Sequence, residues 1–446
     1  MKLPYAEPDP AGSERARNAK KLRDLATEVA RLTPQAMTRT NGEEPDHYPT
    51  YAANFTKGLA HDDCGLVKDP THYACFVEAI NSPNSTLFDK GVPTAETECI
   101  GFNCSDELGK FKWRGWESPR AGHVYELEGP DAGACGMAPA PRVGSSELAA
   151  EMAEVYALAV LRDVPFSVIC EGGDERLCAS AKEPGKAQLP AKKIVDLLNK
   201  MPFYSLQNVK SSTPHNVDEK TGLNCFERNR RFARTQSADG KLTPETVFRG
   251  STKGALAGPY ISQFMLIGTN SIAGAGGGAS SFPGKDAKFD LRDGFIPYGS
   301  LIIDQRTITQ KNCLDYMMDW CSWLDVQNGA DTKRLQQFED TRRFITTPRD
   351  LATYVHFDAL YEAYLNACLI MLSMEVPFSK GFPEVSPTGR RTPFATFGGP
   401  HALSLVTEVA TRCLKAVRRQ KFSYHRRARP EVMGGRFTLS CLGKGS

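Results

Sequence analysis

Long apolar runs are missing from this chain of 446 residues. Its opening, Met1-Lys-Leu-Pro-Tyr-Ala-Glu-Pro-Asp-Pro10, has no stretch able to act as the apolar region of an export signal, and no later segment is long and uncharged enough to cross a bilayer. The expectation is a soluble protein with no visible N-terminal signal and no membrane span. Paired cysteine motifs are also missing. The 13 cysteines include no Cys-x-x-Cys, which excludes the usual zinc and thioredoxin spacings. Cys99 and Cys104 are close enough to bridge a loop, but free or merely buried thiols are the simpler expectation. Neither sign of charge dominates, since 55 Lys and Arg face 52 Asp and Glu for a net +3. A local basic patch without a strongly basic whole and without a recognised fold motif excludes nucleic acid as the expected partner. The glycine run Ala273–Ala279 lacks the Gly-x-x-x-x-Gly-Lys-Ser/Thr order of a phosphate loop and reads as a flexible connection. Strand signals are few and short, and no repeat of fixed period is visible.

What is present is helical periodicity. Residues 14–32 form an amphipathic pattern with Leu22, Leu25, Val29 and Leu32 on one face, suited to an arm that meets a partner subunit. From about 41 to 144 the chain is rich in Pro, Gly, Asn and Asp, which predicts long ordered loops. Ser145 and Ser146 offer N-caps for a helix over 147–163, stopped by Pro165. Further helices are expected at 191–201, 310–325, 349–374 and 400–420. Within the 349–374 helix, Asp358, Glu362 and Asn366 recur at every fourth residue and would share one face. That stripe reads as a hydrogen-bonded seam rather than a di-metal site, because no second carboxylate-histidine helix accompanies it. All-α is the simplest summary.

Charge gathers only at the end. Arg412, Lys415, Arg418, Arg419, Lys421, Arg426, Arg427, Arg429 and Arg436 crowd the last 35 residues against Glu431 alone, so an anionic partner fits there. On a continuous helix the step from Lys421 to Arg429 would advance roughly 12 Å, too far for both side chains to grip one small anion. Pro430 disfavours the α region at Arg429, so the chain is expected to leave the helix and bring the guanidinium back. Fixed cationic donors of this kind suit a tetrahedral oxyanion. A solvated basic helix end, favourable to the helix dipole and chemically idle, is the commoner reading of the same residues taken alone.

Longer stretches carry a resemblance. They include Asn54-Phe-Thr-Lys-Gly-Leu-Ala-His-Asp-Asp63, Gly115-Trp-Glu-Ser-Pro119, Leu127-Glu-Gly-Pro-Asp131, Arg162-Asp-Val-Pro-Phe166, Phe248-Arg-Gly-Ser-Thr252 and Gly258-Pro-Tyr-Ile-Ser-Gln-Phe264. Arg349-Asp-Leu-Ala-Thr-Tyr-Val-His356, Phe394-Ala-Thr-Phe-Gly-Gly-Pro-His401 and Lys421 to Arg436 extend it, so that about 41–436 are covered. In these stretches the chain resembles the vanadium-dependent haloperoxidases, in the algal and cyanobacterial bromoperoxidase branch.

The resemblance implies an all-α helical bundle with long loops and minor β-hairpins. It implies vanadate held by the Lys and Arg of a Lys-x7-Arg-Pro motif, matched here by Lys421 and Arg429 as cofactor-binding residues. A Pro-Ser-Gly-His motif and a closing Arg and His, which supply the family's acid–base and vanadium-binding histidines, have no counterpart in the sequence. No catalytic residue and no metal ligand is therefore assigned. His123 and His401 match family positions outside the vanadate site, and His425 is read as support for the local fold. The chain is expected to be an incomplete, inactive copy lacking a C-terminal part: an N-terminal arm at 1–40, an incomplete haloperoxidase-like domain at 41–436 and a divergent tail at 437–446. The activity implied is oxidation of halide, bromide first, by hydrogen peroxide to a hypohalous species that halogenates an organic acceptor. Homo-oligomers are implied too. Calcium is a further ion without a place, since the loop 379–393 carries only Glu384 as a hard anionic ligand. The alternatives are an acid phosphatase of the type-2 phosphatidic acid phosphatase group and a non-catalytic oligomer-forming subunit.

Overall fold

The computed structural model describes residues 14–32, 40–82, 84, 86–95, 101, 113–117, 133, 136–137, 139–175, 177, 189–205, 241–250, 253–269, 271–272, 280–281, 294–374, 376–378, 390 and 393–443. Helices dominate, and the described strands form two two-stranded antiparallel hairpins, as an all-α fold with minor β-hairpins requires. His123, Cys99, Cys104, Glu384 and the glycine run 273–279 lie outside the described residues.

The chain separates into two compact units. The first comprises Met1–Arg142, Met317–Thr332 and Thr411–Ser446; the second comprises Val143–Tyr316 and Lys333–Ala410. The basic cluster belongs to the first.

In the first unit the segment after residue 41 carries a helix and a buried core, where composition predicted long ordered loops. Asp69 caps the helix Pro70–Asn81 by accepting the Thr71 N–H, and Pro70 sits at the first helical position where its missing donor costs nothing. Tyr73, Phe76, Ala79 and Ile80 then fall on one buried face. Leu59, Val67 and Val92 complete this cluster, with Phe55, Trp116 and Phe422 packed on it. A second anchor is Trp323, on the helix Trp320–Gln327, whose indole donates to the Glu431 carbonyl at 2.8 Å. Its ring lies so close to Gly65 and Gly435 that a Cβ on either would sit 2.4 Å from a ring carbon. The expected helix over 310–325 thus starts ten residues late. Cys313 and Met317 have left-handed backbones, Cys313 is disulfide-bonded, and Asp319 caps the true start by accepting the Ser322 N–H. Cys313 also corrects the expectation of free thiols, which holds for Cys64, Cys75, Cys170, Cys321, Cys368, Cys413 and Cys441.

The second unit is organised by the helix Ser146–Val160, capped by the Ser145 hydroxyl as predicted, and by Ala191–Leu198 and Pro348–Phe357. Leu161, Val164, Ile169, Ile194 and Val247 are buried together. The expected helix 349–374 is two helices, Pro348–Phe357 and Glu362–Ser373. Asp358 turns extended, Tyr361 takes a left-handed conformation, and the Glu362 carboxylate accepts the Ala359 N–H in place of a helical bond. Asp358, Glu362 and Asn366 therefore do not share a face. Asp358 is exposed, while buried Asn366 donates to Gln305 at 3.4 Å. The helix Gly399–Arg419 matches expectation and leads from the second unit into the first.

Candidate oxyanion site

Lys421 does not sit on an α-helix. After Arg419 the helix widens into a π-helical turn, Gln420–His425, closed by a hydrogen bond from the Arg426 N–H to the Lys421 carbonyl at 3.0 Å. π-turns of this kind are rare and recur at functional positions. Arg426 then adopts φ 37°, ψ 41°, which ends the helix. Arg429 is extended at φ −73°, ψ 155°, and Pro430 opens the next helix, Pro430–Cys441. The predicted escape from the helix before the proline is what the backbone does. It happens three residues earlier than the proline alone would require.

The turn is braced by the Asn54–His61 stretch. Asn54 and Arg427 form an isolated antiparallel bridge, the Phe55 N–H donates to the Arg426 carbonyl at 2.7 Å, and the Ala428 N–H donates to Ala53 at 2.9 Å. Lys57 is ion-paired with Glu431 in the first turn of the new helix. Beneath, the Arg426 guanidinium is ion-paired with Glu44 and faces the hydroxyl end of buried Tyr73. The Asn54–His61 stretch thus serves as scaffold for the residues between Lys421 and Arg429.

The cations are held differently. The Lys421 ammonium is exposed, lies 4.9 Å from the Phe422 ring centre and stands 3.8 Å from the Glu117 carboxylate. Glu117 is also ion-paired with Arg418, one turn back on the same face. Arg429 is exposed, and its guanidinium has no hydrogen-bond or ion-pair partner among the described residues. Its backbone caps the Pro430–Cys441 helix, whose positive end adds to the attraction for an anion. His425 lies between the two. Burial, then the Arg427 charge, holds it below the ordinary histidine value, and its Nε2 is buried without a hydrogen-bond partner among the described residues.

Below this surface is a buried polar layer that sequence reasoning missed. His61 accepts or donates to Thr56 at 2.9 Å, while its backbone N–H donates to the Asn328 side chain at 2.9 Å. Burial, and then the charge of Arg436, push His61 down to about 4. Burial also pushes Arg436 down to about 10, with Asp62 pulling the other way. Arg436 donates to the carbonyls of Ala52 and Gly65, which ties the helix Pro430–Cys441 to the same brace. Only the Gly115-Trp-Glu and Asn54–His61 stretches hinted at these partners, because nothing in local spacing links them to Lys421.

The donors present suit the charge of an oxyanion, with two exposed cations, a helix N-terminus and a half-buried histidine. Covalent attachment of vanadium asks for a further histidine, which this constellation does not offer. His401 does not supply it, since its Nδ1 accepts the Phe397 N–H at 2.9 Å. No group of three or more histidine, cysteine or acidic side chains able to hold a metal occurs among the described residues. No helix among them is long and apolar enough to cross a membrane.

The fold is helical, with a cationic turn after Arg419, and comparison with known proteins gives its class. No family model matches the chain. It is 38% identical to the vanadium-dependent bromoperoxidase of Corallina officinalis over 442 residues, 96% of this chain and 68% of that one. The vanadium-dependent bromoperoxidase of Ascophyllum nodosum is 26% identical over 401 residues, 88% of this chain and 56% of that one. A solved homohexameric vanadate-dependent bromoperoxidase from Ascophyllum nodosum shares the fold, with TM-score 0.61 and 23% identity over 98% of this chain and 60% of that chain. The chain belongs to the vanadium-dependent bromoperoxidase family.

Proposed function

We propose that this chain carries the oxyanion-holding portion of a vanadate-dependent peroxidase that oxidises bromide with hydrogen peroxide. Lys421 and Arg429 would hold the vanadate by charge-assisted hydrogen bonds, and His425 would support them from within the turn. Vanadate, when bound, supplies a centre that makes peroxide electrophilic toward halide without changing the metal's redox state. The contribution of the chain's own residues is positional. The π-turn and the helix cap present two cations on a backbone fixed by Asn54, Phe55 and Ala53, so little reorganisation is needed when negative charge arrives.

The observation that supports this reading is the pairing of 38% identity over 96% of the chain with a Lys-x7-Arg-Pro motif set on a π-turn and a helix cap. The organic acceptor is any diffusible, electron-rich carbon nucleophile. Assembly as a homo-oligomer is proposed on the homohexameric neighbour and on the helix Glu14–Leu32, where Leu22, Leu25, Val29 and Leu32 are all exposed. Calcium is proposed only as a further ion, without an assigned place.

The test is bromination of a β-diketone by the 446-residue chain with peroxide and bromide, with and without added vanadate. Vanadate binding that weakens at least tenfold in Lys421→Ala supports the oxyanion-holding role, while vanadate-dependent turnover by the chain would overturn the expectation of an inactive copy. Phosphate ester hydrolysis without halide would move the chain to the phosphatases. Neither activity, with an intact assembled particle, would leave a non-catalytic subunit.

A further inference from the structure

Among the described residues, Glu117 is the carboxylate ion-paired with both Arg418, at the end of the preceding helix, and Lys421, on the turn. Although its side chain is exposed, its backbone is anchored. The preceding Trp116 donates its indole N–H to the Lys57 carbonyl at 2.8 Å and packs its ring 4.9 Å from Phe76 and 4.7 Å from Trp113. The Trp113 indole in turn donates to Gly58 at 3.2 Å, and the backbone around it bridges to Ala330. The loop that presents Glu117 is therefore fastened to the same Asn54–His61 brace that fixes the backbone after Lys421.

Resting on the assignment of Lys421 to the oxyanion site, we infer that Glu117 is an internal counter-anion that occupies the lysine until an oxyanion displaces it. Three observations carry this. Its two carboxylate oxygens face two cations, Oε1 to Arg418 and Oε2 to Lys421. The contacts are unequal, because Arg418 is in hydrogen-bond contact while the lysine stands off at 3.8 Å, so the lysine can leave without freeing the glutamate. Among the described residues Arg429 has no such partner, so the two cations of the motif are prepared differently: one compensated by the chain, one open to a ligand. Glu117 thus acts as a positioning residue. It keeps the ammonium on the correct side of the turn, and it sets a threshold that a weakly charged anion does not overcome.

The experiment compares binding of inorganic phosphate and of orthovanadate to the full chain, by calorimetry or by vanadium NMR line width, in wild type, Glu117→Gln, Lys421→Ala and the double variant. Glu117→Gln keeps shape and hydrogen-bonding capacity while removing the competing charge. Binding should tighten about threefold to fivefold at low salt, the range expected of an exposed pair, and the gain should vanish as ionic strength rises. In the Lys421→Ala background the same substitution should have no effect. If Lys421→Ala weakens binding but Glu117→Gln leaves it unchanged or weaker, the counter-anion inference falls and the site assignment stands. If Lys421→Ala binds either anion as wild type does, or no variant binds, both fall.

Discussion

Replacing Arg349 by methionine should unfold the second unit's frame more readily than any single change at the cationic turn. The Arg349 guanidinium donates from Nε to Asp163 at 2.6 Å and from Nη2 at 2.9 Å, reaches Asp315 at 3.1 Å and bonds the Leu314 carbonyl at 2.8 Å. Arginine and Asp163 side chains are only 8% and 3% exposed, so water cannot take over either charge. Methionine fills the stem's volume but leaves the Asp163 carboxylate buried without its cation, a loss of about 3–5 kcal/mol. Arg162, which also binds Asp315, is 32% exposed and would cost only about 1 kcal/mol if truncated. Urea unfolding followed by far-UV circular dichroism measures the difference. Hydrogen exchange in Ser146–Val160 and Pro348–Phe357 assigns it to this unit, because all four tryptophans belong to the other one. The double variant Asp163→Asn with Arg349→Met should recover at least half of the loss, since no charge is then left buried. A loss below about 1 kcal/mol for Arg349→Met, or a double variant worse than the single one, would refute the reasoning.

Other outcomes follow from the same geometry. Gly435→Ala places a methyl group against the Trp323 ring and should cost about 1–3 kcal/mol, with a red-shifted tryptophan emission; an unshifted spectrum at unchanged stability would count against the close packing. His61 titrates near 4 when folded and near 6.5 when unfolded, so the unfolded chain binds the extra proton between those values. Stability is therefore full above about pH 6.5 and falls by about 3 kcal/mol as pH drops toward 4. His61→Gln should flatten that slope, seen in urea midpoints across the range. Changing Leu22, Leu25 and Leu32 together to serine should lower the particle mass in solution, and an unchanged mass would remove the helix Glu14–Leu32 from assembly.

The sequence made two kinds of feature legible, and physics explains the division. Local rules worked where neighbours in the chain decide the outcome. Ser145 caps its helix, Pro430 forces Arg429 to extend, and the amphipathic pattern at 14–32 is a helix with its apolar face outward. They failed where distant groups decide. Nothing between 349 and 374 is proline or glycine, so periodicity ran through the break at Tyr361, which the Glu362 carboxylate closes by binding Ala359. The start of Trp320–Gln327 is likewise set by the backbone at Cys313 and Met317, which no pattern announces.

The motifs that carried the family resemblance divide in an instructive way. Arg162-Asp163 and Arg349 are a buried charge network inside the second unit, while Asn54–His61 and Gly115-Trp-Glu117 are the brace and counter-anion of the cationic turn. These stretches are occupied in internal contacts. A buried guanidinium needs its carboxylate at one distance and one angle, and a turn that must present two cations needs its backbone tied at several points. Substitutions at such places are costly whatever the chemistry at the surface, so the scaffold writes a stronger signature than the site it supports. The extended backbone at Arg429 was legible because the proline that follows it, nine residues beyond Lys421, constrains the chain locally. Glu117 was not, because its only link to Lys421 is through space.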